Sequence, residues 1–402
     1  MKKIGLLENT IQYYAWGSPD AIPELLNMEN RSGQPWAELW MGAHSKAPSY
    51  LDHEGQRQSL ADLINTFPNE VLGPQTAARF HNELPYLFKV LAAAKPLSIQ
   101  AHPDLAQAQE GFAKENKQKI PLDAPIRNYK DTNHKPECIC ALSKFYALYG
   151  FRAIPDILEL MSAASPAGLK VELTQLKNNP TSQGIKKFYS GLLAMSPAGQ
   201  NRIVNEVRQN SGRIDDQHAA SWINRLAEEY PSDISIVSPI LFNLICLEPG
   251  QALYLPAGEL HAYLEGLGIE LMANSDNVLR GGLTAKHIDL PELLKVVNFE
   301  PRPVELLKTK VLGANETFYI TPANEFVLSS ISLSRPTSYR SPTSRSAEIL
   351  LCASGTAAVQ DIGAGTDINI RQGDSVLVPA AVERYQLTGN AVLYKAAVPL
   401  KD

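Results

Sequence analysis

Cysteine is scarce. Four occur among 402 residues, with no Cys-x-x-Cys pair, so neither a disulfide framework nor a thiolate zinc site is expected. Cys138 and Cys140 of Glu-Cys-Ile-Cys, with the isolated Cys246 and Cys352, read as small buried hydrophobes. Charge of one sign is also lacking. The 37 Lys and Arg against 42 Asp and Glu leave a net −5, which excludes the basic footprint of a nucleic-acid or membrane-surface protein. One basic pocket for a small anion remains compatible with that total. No apolar run approaches the ~18 residues of a membrane-spanning helix. Met1-Lys2-Lys3 is followed too soon by Glu8, Asn9 and Thr10 for a signal-peptide core, so a cytoplasmic location is expected. A Gly-x-x-x-x-Gly-Lys-Ser/Thr phosphate loop is missing, and so is the strand–helix alternation of a nucleotide-binding fold.

What is present is a globular composition, 44% hydrophobic and 20% charged, on a chain long enough for about two to three domains. The first ~150 residues read as strands broken by short helices. Trp36–Met41, Tyr86–Leu91, Leu97–His102 and Pro136–Tyr149 are strand candidates, the third by strict alternation. Leu60–Phe67 and Pro103–Asn116 read as helices, with Pro103 in the first turn of the second. From Pro155 to about Asn243 apolar residues recur at three and four, as in Ile157, Leu158, Leu160 and Met161, and Ser-Pro or Asn-Pro pairs mark the boundaries. This predicts an all-helical insertion over 155–243. Strands then return to the end of the chain, apart from a Ser/Pro/Thr/Arg-rich loop over 334–346.

A repeat lies in the strand-rich parts. Gly250-x5-Pro256-Ala and Gly373-x5-Pro379-Ala share a constant offset of 123 residues. The first copy continues to Gly258 and His261, whereas the second has Ala381 and Arg384. The full pattern Gly-x5-Pro-x-Gly-x2-His resembles a motif of the cupins, a jelly-roll family in which this His reaches into the barrel. The resemblance implies a metal in the first barrel and none in the second, where Arg384 replaces the His.

His261 needs partners. Gln100 and His102 sit two apart on a predicted strand and share a face. Glu137 opens the next strand after His134-Lys135-Pro136. Gln100, His102, Glu137 and His261 together offer two oxygen and two nitrogen donors, a set suited to Zn²⁺, Mn²⁺ or Fe²⁺. His44, His53, His81, His218 and His287 lack partners at useful spacing, and His134 is read as orienting its neighbours in the site. Trp16, Trp36 and Trp40 are read as core or rim packing.

Long stretches then settle a family resemblance: Gln12–Ser18, Pro35–Gly42, Lys95–Asp104, His134–Glu137, Leu255–Tyr263 and Glu270–Lys286. In this order they resemble the type I mannose-6-phosphate isomerases, zinc-dependent proteins with two cupin barrels and a helical insertion. The resemblance covers nearly the whole chain. It implies a mainly β fold: residues 1–154 and 244–314 form the metal-bearing jelly roll, 155–243 the insertion, and 315–402 a second jelly roll without metal. It places one Zn²⁺ on Gln100, His102, Glu137 and His261. It assigns Arg280 a catalytic or substrate-orienting role and puts Lys286 and Ser98 at the phosphate. It also implies a monomer that acts on a sugar phosphate, with no nucleic acid or membrane partner. Ala285 departs from the Pro common in relatives.

An aldose–ketose isomerisation moves a proton between C2 and C1 through an enediol(ate), which calls for an acid/base and for positive charge at the oxygen. Lys135 and Glu270 are both candidate proton carriers, Glu270 alternatively a partner orienting Arg280, and the sequence does not choose between them. Gly281-Gly282 after Arg280 is read as space for substrate approach, Asn277 as loop-shaping, and Asp276 as loop-shaping or touching the sugar. Two rivals remain on residues alone. One is an Fe²⁺ cupin dioxygenase, against which Gln100 and the basic segment speak. The other is a sugar-phosphate sensor or storage barrel that binds without turnover.

Overall fold

The structure is a computed structural model that describes residues 1–313 and 315–400. Two antiparallel sheet systems form cupin-type jelly rolls, and an all-helical block interrupts the first. The Tyr86–Ala93 strand is buried along its whole length between Glu38–Met41 and His261–Ala273, which suits its Val, Leu and aromatic content. The single strand expected over 136–149 is two strands, Glu137–Ala141 and Phe145–Phe151. Between them the amides of Leu142 and Ser143 both donate to Leu267 O and turn the chain. Pro103 lies outside its helix. Asp104 caps Leu105–Lys117 in a reciprocal box with Gln107, so the helix starts two residues later than expected. The 334–346 loop contains a short strand, Ser338–Arg340, held by pairing with Tyr385–Ala397. Cys246 is exposed on a strand facing Tyr146, while the other three cysteines are buried.

The inserted helices run from Ile154–Ala164 to Ser238–Leu241. Thr181, Ser196 and Asp216 cap three of them through side-chain oxygens. Their apolar faces, including Ile185, Phe188, Val207 and Ile223, form one core with Ile99, Ala101 and Leu279 of the first barrel. The insertion is therefore seated on the strands that carry Gln100 and Arg280.

Both copies of the repeat are built alike. Gly250 and Gly373 take positive φ, 85° and 92°, which glycine adopts without strain. The strands Ala252–Leu255 and Ser375–Val378 follow, then the thirteen-residue strands His261–Ala273 and Tyr385–Ala397. The counterpart of His261 at the head of its strand is thus Tyr385. Arg384 is exposed, because one extra residue after Pro379 shifts the second copy. Glu348 stands opposite Val378 as Glu137 stands opposite Leu255, so the site carboxylate persists in the second barrel. There the Lys395 ammonium lies 2.6 Å from Glu316 and 3.5 Å from Glu348 and donates to the Tyr339 hydroxyl at 3.0 Å.

The barrels share a core in which Phe88, Cys138 and Ile269 pack with Ile349, Leu351 and Ala396. Gly5–Leu6 joins the second sheet by pairing with Ser375–Val378. Thr309–Leu312 joins it by pairing with Glu316–Tyr319. A boundary at 314 would cut that hairpin, and a start at 1 would cut the first pairing, so the sheets divide elsewhere than the sequence implied. No helix among the described residues is long and apolar enough to cross a membrane.

Candidate metal centre and cleft

Register assembles the centre. Gln100 lies opposite His261 on one side and opposite Arg280 on the other. Glu137 opens its strand between Leu255 and Met272. His102 Nε2 lies 3.4 Å from one Glu137 oxygen and His261 Nε2 lies 3.3 Å from the other. Donor atoms of the three residues lie within 4.8 Å of one another, and all three side chains are buried. Both rings are held from behind: His102 Nδ1 by Asn277 O at 2.7 Å, and His261 Nδ1 by Glu259 O at 3.0 Å. Nδ1–H is then the donor in each, and Nε2 presents its lone pair to the centre. Burial and the nearby Lys135 ammonium depress the His102 pKa to about 4 in the metal-free chain, which keeps the ring neutral. Burial opposes charge on Glu137, but Lys135 and the imidazoles outweigh it and hold the carboxyl well below its usual range. His102 Nε2 is buried without any hydrogen-bond partner. An orphaned neutral imidazole beside a carboxylate and a second imidazole fits a divalent cation.

The centre opens into a cleft of about 900 Å³. Ser98, Gln100, Lys135, Glu137, His261, Glu270, Arg280 and Lys286, predicted from the sequence, all line it, and His102 stands behind Glu137 and His261. Lys135 Nζ is 2.9 Å from Glu137 Oε1. Glu270 is buried with one oxygen 2.9 Å from Lys89 Nζ. Lys89 in turn lies 3.5 Å from Glu38, whose other oxygen accepts from Trp40 Nε1 at 2.7 Å. Burial works against the Lys89 ammonium, but Glu270 and Glu38 more than offset it and raise its pKa. Among the described residues no carboxylate lies within ion-pair distance of Arg280, Lys286 or Lys130, and all three face the cleft.

These features find close counterparts in known proteins. A family model for the catalytic domain of type I phosphomannose isomerase matches residues 4–154. The chain is 41% identical over 379 residues to mannose-6-phosphate isomerase of Escherichia coli K12, covering 93% of this chain and 94% of that one. The chain belongs to the mannose-6-phosphate isomerase family. The family member of Salmonella typhimurium is 42% identical over 88% of this chain and 90% of its own. A crystal structure of a mannose 6-phosphate isomerase in its zinc-bound form superposes with a TM-score of 0.92, at 38% identity, covering 99% of this chain and all of that one.

Within this family member several residues important to the site escaped the sequence reading. Lys89 is the single charge in the buried run Tyr86–Ala93, and that isolation was the available signal. Glu38 and Trp40 looked like alternation in a packing strand, yet they support Lys89. Asn277 is fully buried. Its amide side chain bonds Lys130 N at 2.6 Å and Asp131 O at 2.9 Å, and its carbonyl holds His102, so it ties the ligand to the segment leading to Lys135. His134 faces Glu325 at 2.9 Å, away from the centre, contrary to the orienting role expected for it. The Gly281-Gly282 expectation also fails. A Cβ on Gly281 would lie 2.8 Å from Tyr189 Oη, and one on Gly282 would lie 1.8 Å from Ser235 Oγ. The helical insertion fills that space, and Arg280 sits in a strand, Leu279–Gly282.

Proposed function

We propose that this chain interconverts D-mannose 6-phosphate and D-fructose 6-phosphate through a cis-enediol(ate), with one Zn²⁺ held by Gln100, His102, Glu137 and His261. The observation that carries the reading is the orphaned His102 imidazole, set in a three-residue ligand cluster at the floor of a cleft with three cations that no carboxylate of the described residues pairs. Zinc, when bound, supplies Lewis-acid polarisation of the substrate oxygens. Ser98, Lys130 and Lys286 hold the phosphate, which is close to a dianion at neutral pH. Arg280 presents its guanidinium to the oxygen that gains charge.

Glu270 moves the proton between C2 and C1. Its Oε2 accepts from Lys89 Nζ at 2.9 Å, and its Oε1 accepts no hydrogen bond from the described residues. Lys135 is bound to Glu137 as an ammonium, so it serves as a donor to a substrate hydroxyl rather than as the carbon base. Four free thiols suit a reducing cytoplasm, and the family resemblance supports a monomer.

The deciding experiment is a coupled assay for fructose 6-phosphate formation from mannose 6-phosphate. Turnover that is lost on chelation and restored by Zn²⁺ is expected. Binding of the sugar phosphate without turnover would replace the enzyme with a sensor.

A further inference from the structure

We infer that the helical insertion positions Arg280, with Tyr189 and Ser235 as positioning residues that act through the Gly281 peptide. The inference rests on the reading of Arg280 given above.

The sheet ladder carrying Arg280 breaks register between Arg280 and Gly282. Arg280 pairs with Gln100 and Gly282 with Ile99, so Gly281 is the extra residue of a bulge. A bulge leaves a peptide without its ladder partner and re-aims the neighbouring side chain. The freed Gly281 carbonyl is taken by the insertion: Tyr189 Oη donates at 3.0 Å and Ser235 Oγ at 3.5 Å. Three residues on, the Thr284 amide donates to Asp233 Oδ2 at 3.2 Å, and the other Asp233 oxygen accepts from Ser235 N at 2.8 Å. One short segment of the insertion therefore grips the chain on both sides of Gly282 and Leu283. Those two residues take positive φ, 148° and 51°, and the latter is strained for leucine.

The grip is rigid on the insertion side. Tyr189 is buried, and its ring packs on Phe151, Phe242 and Phe299 with centroids 5.5, 6.0 and 6.3 Å away. Burial and the Asp233 charge raise its phenol pKa, so the hydroxyl remains a donor. On the open side no carboxylate of the described residues anchors Arg280, so its backbone is what fixes its aim. Neither glycine has room for a Cβ, which makes the contact one of close fit.

The test is a double-mutant cycle of Tyr189→Phe with Arg280→Ala, with steady-state kinetics on mannose 6-phosphate and zinc content measured for each variant. Tyr189→Phe keeps the ring and removes only the donor. It is expected to lower kcat about tenfold with zinc content unchanged, less than the ~10²–10³ of losing an electrostatic donor outright. In the Arg280→Ala background the same substitution is expected to change kcat by less than about twofold, because the group it acts through is gone. Ser235→Ala, a milder change at the same carbonyl, gives the second variant if Tyr189→Phe folds poorly. Unchanged kcat in both, or an equal loss in both backgrounds, overturns the inference and leaves these residues as packing. An Arg280→Ala enzyme with full kcat is read in the single variant alone. It overturns the role of Arg280 and this inference with it.

Discussion

Lys89 and Glu270 lie directly opposite each other on neighbouring strands, with ammonium and carboxylate 2.9 Å apart and both side chains buried. Their charges depend on one another, since each would be costly to bury alone. Lys89→Met leaves Glu270 and Glu38 without their cation. A loss of about 3–5 kcal/mol is expected, the range for breaking a buried pair, together with loss of turnover. Thermal unfolding against the wild type measures the first and the coupled assay the second. Glu270→Gln, which keeps an acceptor for Lys89, should fold better than Lys89→Met while still losing kcat.

Glu137→Ala and His261→Ala each remove one ligand from the set. Zinc content is expected to fall from one per chain toward zero, and activity with it. The far-ultraviolet circular dichroism should persist, because the barrel core is apolar. Near-normal zinc and turnover in either variant would remove that residue from the ligand set.

Arg280→Lys keeps the charge but loses the planar fork. A fall in kcat of about 10²–10³ is expected, with KM little changed. Lys130→Met should show the converse, a raised KM with kcat retained. A tenfold rise in KM for Arg280→Lys at constant kcat would exchange the two assignments.

Asp276 sets part of the acid limit. Burial opposes its charge, but the His44 imidazole 3.7 Å away and the Lys46 ammonium, which donates at 2.5 Å, prevail and lower its pKa. A carboxylate with a depressed folded pKa contributes stability that is whole above its unfolded pKa, about 3.9, and is lost as pH falls toward the folded value. Lys46→Met should therefore reduce stability at neutral pH and reduce it by less near pH 2, where part of that contribution is already lost in the wild type. Denaturant midpoints measured at both pH values decide this.

Periodicity made the strands, the helical block and the repeat legible, because both 2-residue and 3.6-residue patterns are local. Gln100 and His102 were legible through spacing, since residues two apart on a strand share a face, and the Gly-x5-Pro repeat marked His261; the structure clusters His102, Glu137 and His261. Lys89 was hidden by the opposite circumstance. Its partners Glu38 and Glu270 come from distant strands, and only the register Glu38–Met41, Tyr86–Ala93, His261–Ala273 brings them together. Gly281-Gly282 misled for a related reason. Glycine signals close approach, but the sequence does not say by what, and here the visitor is Tyr189. The single-residue shift that makes Tyr385, not Arg384, the partner of His261 was likewise invisible to a constant offset.

The Lys395 ammonium between Glu316 and Glu348 makes the second barrel a cation site whose cation is tethered by its own polymer chain. A tethered ion has no dissociation constant. The two barrels of one chain should then answer a chelator differently: the first is left with two imidazoles around a carboxylate that Lys135 alone compensates, and the second is unchanged. Phe88 and Ile349 share one core, so the cation that a chelator cannot remove sits in the same packed unit as the one it can.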